Sequence, residues 1–358
     1  MPRARKLGLV GAALGVLTAS TGAAVAIAGR RIGTQRRQPD PAAGTRFGAL
    51  AADRSYTVTA DDGTRLHVEE VGRPDAELVV VFVHGYTLAL GSWHFQRLAL
   101  SEADVRLVFY DLRSHGLSER AAADSCDIDQ LGHDLAAVLE TAAAQGPTVL
   151  VGHSMGGMTI MSLAEQRPEL FGGQVRGVAL LSTTTGGLAG VDLGLPPALA
   201  RLKLLALPML AKGMRSRPRI AELTRRTGSD LSWWLTKSYS FGDRPVSPAL
   251  VDYVGQLIAA TPVEVIADFF GTLMGYEKVH ALSVLSGVET LIVCGDADRL
   301  TPLSHSRAMV EELPAAEFVV VPGAGHLAMM EQPEQVNTAL HAFLARAAAR
   351  PAVNRRRA

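Results

Sequence analysis

The chain has 358 residues, 48% of them hydrophobic, so it can bury a large core and does not have the composition of a disordered chain. Lysine plus arginine and aspartate plus glutamate both number 35, so the formal net charge is zero and no basic field favours nucleic acid. The two cysteines, Cys126 and Cys294, are far apart and match no C-x-x-C or zinc pattern, so they do not reveal the compartment.

The first predicted element is the uncharged run at residues 7–29, which follows the basic stretch PRARK. It is long enough to cross a bilayer and longer than the core of a typical signal peptide. We therefore expect residues 1–29 to form a membrane anchor; the alternative is a secretory signal with Ala26-Ile27-Ala28 as its cleavage site. Basic residues flank both sides of the run, so its orientation stays open. Residues 30–52, rich in Arg, Pro, Gly and Ala, are expected to form a flexible tether.

From residue 55 onward, strand-like and helix-like segments alternate along the chain. A hairpin is expected around the turn-forming DDG at 61–63. Short β-branched runs typical of buried parallel strands follow at 78–83, 105–110, 148–152, 175–182, 290–295 and 317–321. Helical candidates lie near 92–100, 127–145, 155–167, 303–313 and 331–349. This alternation predicts an α/β fold with a mostly parallel, eight-stranded sheet and helices on both faces.

The interval at residues 187–286 interrupts this alternation, because it contains several amphipathic stretches and no convincing strand. We interpret it as a helical cap over the crevice at the carboxyl ends of the strands, where open α/β sheets bind ligands. The predicted core then comprises residues 53–186 and 287–350, and a short basic tail follows at 351–358.

The stretch TVLVGHSMGGMTI, residues 148–160, predicts a strand, a sharp turn and a helix, with Ser154 in the turn. Gly152 and Gly156 stand two positions before and after it, where side chains would clash between strand and helix. The N–H groups at the start of the helix point near the hydroxyl and can hold an anion. A serine alone is a poor nucleophile, so this hypothesis requires a base and an acid that orients it.

One acidic loop contains the candidate acid, and one histidine-bearing loop contains the candidate base. GDADRLTP follows the seventh predicted strand and contains Asp298; PGAGHLAMMEQP follows the eighth and contains His326. The order Ser154, Asp298, His326 is the one expected of a catalytic triad at the carboxyl edge of such a sheet. Asp296 is the alternative acid. Three other histidines in these motifs are expected to pack or hydrogen-bond: His84, His115 and His153.

Four separated motifs together resemble the α/β-hydrolase family over residues 55–349: FVHGYT at 82–87, FYDLRSHGLS at 109–118, GHSMGG at 152–157, and GDADRLTP with GAGH at 295–302 and 323–326. The resemblance implies that Asp298, rather than Asp296, is the triad acid. It also implies that an oxyanion hole is formed by the backbone N–H groups of Tyr86 and Met155.

A serine nucleophile with a histidine base and an oxyanion hole is suited to acyl transfer. We therefore expect a carboxylic ester hydrolase acting on a small-molecule ester. Relatives that open epoxides or remove halide carry aspartate at the position of Ser154. The alternatives are perhydrolase activity with the same triad, as in the cofactor-free haloperoxidases that the HG-to-SW stretch resembles, and a ligand-binding protein without catalysis.

The composition of the cap favours an apolar or lipid-like substrate, since it is rich in Leu, Ala and Met and contains Trp233, Trp234, Phe269 and Phe270. Trp93 either lines the pocket or anchors the first helix. The sequence shows no metal, nucleotide or flavin motif, so no cofactor is expected. The expected partners are the ester and, through residues 7–29, a membrane, with no nucleic acid.

Overall fold

The computed structural model describes four stretches of the chain: residues 33–36, 38–144, 146–192 and 230–350. The predicted anchor at 7–29 and the basic tail at 351–358 lie outside these residues, as does the 193–229 portion of the expected cap.

One sheet of eight strands forms the centre of the described structure. The strands are β1 Arg54–Thr59, β2 Arg65–Gly72, β3 Leu78–Val83, β4 Val105–Tyr110, β5 Thr148–His153, β6 Val175–Leu181, β7 Glu289–Gly295 and β8 Glu317–Val321. Their order is β1-β2-β4-β3-β5-β6-β7-β8, with β2 antiparallel to both neighbours and every pair from β4 to β8 parallel. The predicted eight-stranded, mostly parallel sheet is therefore confirmed.

The described helices follow the strands as the alternation predicts. They are α1 His94–Leu100, α2 Ile128–Ala142, α3 Met155–Gln166, α4 Asp230–Ser240, α5 Pro248–Ala260, α6 Val263–Met274, α7 Ala281–Leu285, α8 Leu303–Glu312, α9 Ala328–Glu331 and α10 Pro333–Ala349. Single 3-10 turns lie at Leu90–Trp93, Ala123–Ser125, Pro168–Leu170 and Leu188–Gly190.

Helices cover both faces of the sheet, because successive strand side chains point to opposite sides. In β3, Val81 packs into the cluster formed with α2 and α3, whereas Phe82 packs into the cluster formed with α1 and α10. Both side chains are fully buried, and burial of each contributes about 1.5–3 kcal/mol. This double-sided core holds the carboxyl ends of the strands at one edge.

The described part of the interval at 187–286 is helical and contains no strand, although Gly186 and Glu277 form an isolated bridge next to it. Helices α4 and α5 pack against each other, whereas α7 packs against α3 of the core. Helix α7 contributes Leu282 and Leu285 to the hydrophobic cluster that also contains α2 and α3, so residues before 286 already pack against the core.

Residues 38–52 differ from the expected flexible tether, because they contact the domain. The Asp40 carboxylate accepts hydrogen bonds at the start of α5, including one of 2.8 Å from the Ala249 N–H. The ring of Phe47 lies 5.4 Å from that of His94 on α1 and 5.6 Å from that of Tyr253 on α5. This segment therefore joins the cap to the core. The composition, rich in Arg, Pro, Gly and Ala, did not indicate that Phe47 would pack against the domain or that Asp40 would cap α5.

Among the residues that the structure describes, no single helix combines the length and apolar composition needed to cross a membrane. Helices α5 and α6 meet that criterion only together, as a pair bent by 89°.

Candidate active site

Ser154 occupies the sharp turn between β5 and α3. Its φ is 52° and its ψ is −119°, a conformation that is strained for a residue with a side chain. A Cβ on Gly152 would lie 2.7 Å from the Gly156 carbonyl carbon, and one on Gly156 would lie 2.0 Å from the Val83 carbonyl oxygen. The G-x-S-x-G spacing is thus required by close approach of the backbone on both sides of the serine.

The turn is also held by β6 and the residues after it. The Ser154 N–H donates to the Leu181 carbonyl at 2.9 Å, and the Thr183 hydroxyl donates to the Ser154 carbonyl at 2.7 Å. Thr183 was not identified from the sequence, since its role depends on contact with a turn far away in the chain.

His326 and Asp298 form a direct pair, with Nδ1 of the histidine 2.9 Å from Oδ2 of the aspartate. Asp298 also accepts the N–H of Leu300 at 2.8 Å, and both the N–H and the hydroxyl of Thr301, at 3.0 and 2.8 Å. Burial alone would raise the pKa of Asp298, but His326 and the Thr301 hydrogen bonds outweigh it, so the pKa lies below its ordinary value. The carboxylate is therefore ionised and directed at the histidine.

Asp296, the alternative acid, has a different partner. Its Oδ1 accepts the Gly323 N–H at 2.6 Å, which joins the loop after β7 to the loop after β8. The structure therefore pairs Asp298 with His326 and uses Asp296 to hold the adjacent loops together.

Glu331 fixes the histidine-bearing loop against the chain that leaves α4. Its carboxylate accepts the N–H of Gly325 at 2.8 Å and that of Gly242 at 3.0 Å. Burial raises the pKa of Glu331 above its ordinary value. Next to it, the Leu327 N–H donates to the Ser240 carbonyl at 2.9 Å. Glu331 lies within the quoted motif, but sequence reasoning gave it no role.

Three buried histidines lie near the site, and each has a ring nitrogen hydrogen-bonded to a backbone carbonyl: His84, His115 and His153. The carbonyl that contacts His153 is that of His326, at 2.9 Å. Burial lowers the pKa of His84 and His153 to about 3 and that of His115 to about 4, so all three are neutral at pH 7. These contacts agree with the packed, hydrogen-bonded roles expected for them.

Ser154 and His326 line the same cavity, which has a volume of about 520 Å³. Most of its described lining is apolar: Leu88, Met158, Leu188, Val191, Leu235, Ile258, Phe270, Leu273, Met274, Leu300 and Leu327. The described lining includes no Lys, Arg, Asp or Glu side chain. The cavity is therefore suited to a neutral, largely apolar ligand.

The two expected oxyanion donors are Met155, directly after Ser154, and Tyr86, in the loop after β3. Met155 is the first residue of α3, so its N–H has no acceptor within that helix. Tyr86 lines the cavity, and its hydroxyl donates to the Ile266 carbonyl of α6 while its ring packs near Phe269. The side chain of Tyr86 is thus anchored in the cap, and the residue lines the cavity.

The aromatic residues expected around the pocket have different positions. Trp93 is fully buried, and its ring packs 5.1 Å from that of Phe82, so it anchors the first helix and does not line the cavity. Of the four tryptophan and phenylalanine residues named from the sequence of the cap, Phe270 lines it, Trp233 and Phe269 are buried elsewhere, and Trp234 is exposed.

The arrangement places a strained serine and a histidine paired with a carboxylate at one largely apolar cavity, with the serine directly before the first turn of α3. Such a set can transfer an acyl group by covalent catalysis. Within the described residues, no group of three or more His, Cys, Asp or Glu side chains could hold a metal ion.

Comparison with known proteins gives consistent results. Residues 80–339 match the model of the alpha/beta hydrolase family. The chain is 31% identical over 267 residues to the dihydrolipoyllysine-residue acetyltransferase component of the acetoin cleaving system of Pseudomonas putida, a match that covers 74% of this chain but only 63% of that protein. It is 28% identical to the pimeloyl-[acyl-carrier protein] methyl ester esterase of Xanthomonas campestris pv. campestris (strain B100), over 78% of this chain and 99% of that one.

Among solved structures, a thermophilic esterase from Thermogutta terrifontis superposes with a TM-score of 0.61 at 25% identity, covering 82% of this chain and 99% of the esterase. The family match extends over most of the chain and includes the serine turn and both loops that carry Asp298 and His326. The protein therefore belongs to the alpha/beta hydrolase family and is assigned to the hydrolases.

Proposed function

We propose that the protein is a serine hydrolase that cleaves carboxylic esters of apolar acyl groups. One observation carries the proposal: Ser154, held at positive φ, lines the same apolar cavity as His326, which is hydrogen-bonded to Asp298. The esterases among the compared proteins support the same reaction class.

In the proposed reaction, Ser154 Oγ attacks the ester carbonyl carbon while its proton passes to Nε2 of His326. Asp298 accepts the Nδ1–H, which keeps the imidazole in the required tautomer and stabilises its charged form. The oxyanion accepts hydrogen bonds from the N–H groups of Tyr86 and Met155, and loss of one such donor costs about 3 kcal/mol of barrier. Water then releases the acid from the acyl-serine, with His326 again acting as base.

The substrate class follows from the cavity. A lining without Lys, Arg, Asp or Glu among the described residues offers no ion-pair partner to a charged acyl group, which would lose hydration on entry. Burial of a neutral, apolar acyl chain in this cavity is favourable, by about 25 cal/mol of free energy for each Å² of apolar surface removed from water.

A series of p-nitrophenyl esters with increasing acyl length tests the proposal. We expect turnover by the parent protein, and losses of several orders of magnitude in both Ser154→Ala and His326→Ala, with little further loss in the double variant. Ser286→Ala makes the same chemical change at the exposed C-cap of α7, which does not line the cavity, and should retain full activity.

Other outcomes would favour a different function. Full activity in Ser154→Ala would exclude the serine mechanism. Peracid formation from a carboxylic acid and hydrogen peroxide, without ester hydrolysis, would favour the perhydrolase alternative. Failure to turn over any ester, with tight binding of an apolar ligand, would favour a binding protein.

A further inference from the structure

We propose that the substrate is an ester between an apolar acyl chain and a neutral alcohol that carries further hydroxyl groups, as in a polyol monoester. The side chains of Thr236, Tyr239 and Ser240, here called the hydroxyl face of α4, recognise that alcohol. This inference rests on the proposed ester hydrolysis and adds the identity of the leaving group.

The hydroxyl face is a single stripe on one helix. Its residues are spaced three and four positions apart, so they project from the same side of α4, and all three line the cavity. Thr236 and Ser240 are each only 8% exposed. None of the three hydroxyls has a hydrogen-bond partner among the described residues.

Unpartnered hydroxyls in a cavity with a largely apolar lining indicate what the cavity binds. A hydroxyl removed from water loses free energy unless another polar group replaces the lost hydrogen bonds. Hydroxyls both donate and accept, so their matched partners are other hydroxyls rather than a charged headgroup. The lack of Lys, Arg, Asp and Glu from the described lining points to the same neutral partner.

The position of the hydroxyl face places it on the leaving-group side of the reaction. The carbonyl of Ser240 accepts the N–H of Leu327, the residue next to His326. Glu331 further ties this loop to Gly242, just after α4. When the Ser154 Oγ–carbon bond has formed and the ester C–O bond breaks, the proton on His326 passes to the departing alcohol oxygen. The alcohol therefore leaves beside α4.

Helix α6 contributes apolar side chains to the lining and is hydrogen-bonded to Tyr86, one of the two expected oxyanion donors. The Tyr86 hydroxyl donates a hydrogen bond to the Ile266 carbonyl of α6. The same helix lines the cavity with Phe270, Leu273 and Met274. These side chains offer a surface to an acyl chain and no hydrogen bonds to an alcohol. The unpartnered hydroxyls thus come from α4, which is tied to the His326 loop, whereas α6, which is tied to Tyr86, contributes only apolar side chains.

The test compares two esters of octanoic acid, 1-octanoylglycerol and propyl octanoate, which share the acyl chain and differ only in the two free hydroxyls of the alcohol. Octanoate release is followed by pH-stat with the full chain. We expect kcat/KM to be about tenfold higher for the glycerol ester, since each neutral hydrogen bond contributes a severalfold factor. The double variant Thr236→Val/Tyr239→Phe, which removes two hydroxyls with little change of shape, should bring the ratio close to one.

Ser238→Ala is the matched control, because Ser238 lies on α4 but does not line this cavity, and both the ratio and the rates should stay unchanged. Equal kcat/KM for the two esters in the parent protein, or a ratio unaffected in both the double variant and the single variant Tyr239→Phe, would overturn the inference while leaving ester hydrolysis intact. Absence of octanoate release from both esters would instead refute the proposed function, and this inference with it.

Discussion

Asp298→Asn is the most informative single change at the site, because each oxygen of Asp298 has defined donors. Oδ1 accepts two backbone N–H groups, from Leu300 and Thr301, and Oδ2 accepts the Thr301 hydroxyl and faces Nδ1 of His326. In asparagine the remaining oxygen is needed by the two N–H groups, so the NH₂ group must face His326. Nδ1 then has to accept a hydrogen bond, which places the proton on Nε2, where it blocks removal of the Ser154 proton.

The expected loss is about ten-thousandfold in kcat, the size found when a triad acid is replaced by its amide, which corresponds to about 5 kcal/mol of barrier. KM should change little, because Asp298 does not line the cavity. Steady-state kinetics with a p-nitrophenyl ester measures both parameters, and circular dichroism verifies that the variant is folded.

Asp296→Asn is the matched control two positions away. Asp296 accepts only the Gly323 N–H among the described contacts, and the amide oxygen of asparagine can accept it equally well, so we expect a loss below about tenfold. If Asp298→Asn keeps activity within tenfold of the parent, or Asp296→Asn is the more damaging change, the assignment of the acid is wrong.

Three further predictions concern stability and location. A methyl group on Gly156 would lie 2.0 Å from the Val83 carbonyl oxygen, so Gly156→Ala should lower the free energy of unfolding by about 3 kcal/mol, whereas Gly190→Ala, with nothing within 4 Å, should be neutral in the same denaturant titration. Three buried histidines, His84, His115 and His153, have pKa values far below 6.5 in the native state, so they take up protons only when the chain unfolds. Lowering the pH from 7 to about 5.5 should therefore reduce the free energy of unfolding by about 1 kcal/mol for each of them. A melting temperature independent of pH over this range would contradict it. We also propose that residues 7–29 hold the full chain on membranes against carbonate extraction, and that a chain starting at Gly33 is released; an intact mass showing a mature N-terminus near Gly29 would instead indicate a cleaved signal.

The sheet and the order of the site residues were predictable because both depend on local patterns. LVVVFV at 78–83 has all six side chains buried, which is the burial that a continuous apolar run predicts for a central parallel strand. The serine turn is similarly local, since Gly152 and Gly156 are needed by backbone approach within a few residues of Ser154.

The supporting contacts were not predictable, because they join elements that are distant in the chain. Thr183 holds the serine turn and Glu331 joins the histidine loop to the end of α4, and in each case the partner is a backbone group with no sequence signature. The cap shows the same limit. Its apolar composition indicated a cavity wall, but the rotation of each helix decides that Phe270 lines the cavity while Phe269 is buried.

The most direct test of the central claim is labelling of the intact protein with a fluorophosphonate, followed by peptide mass spectrometry. The account predicts one adduct, on the peptide that contains Ser154, lost in Ser154→Ala and strongly reduced in His326→Ala because the hydroxyl then lacks its base. Labelling that persists in Ser154→Ala, or a folded parent protein that takes up no label, would contradict a nucleophilic serine at this turn.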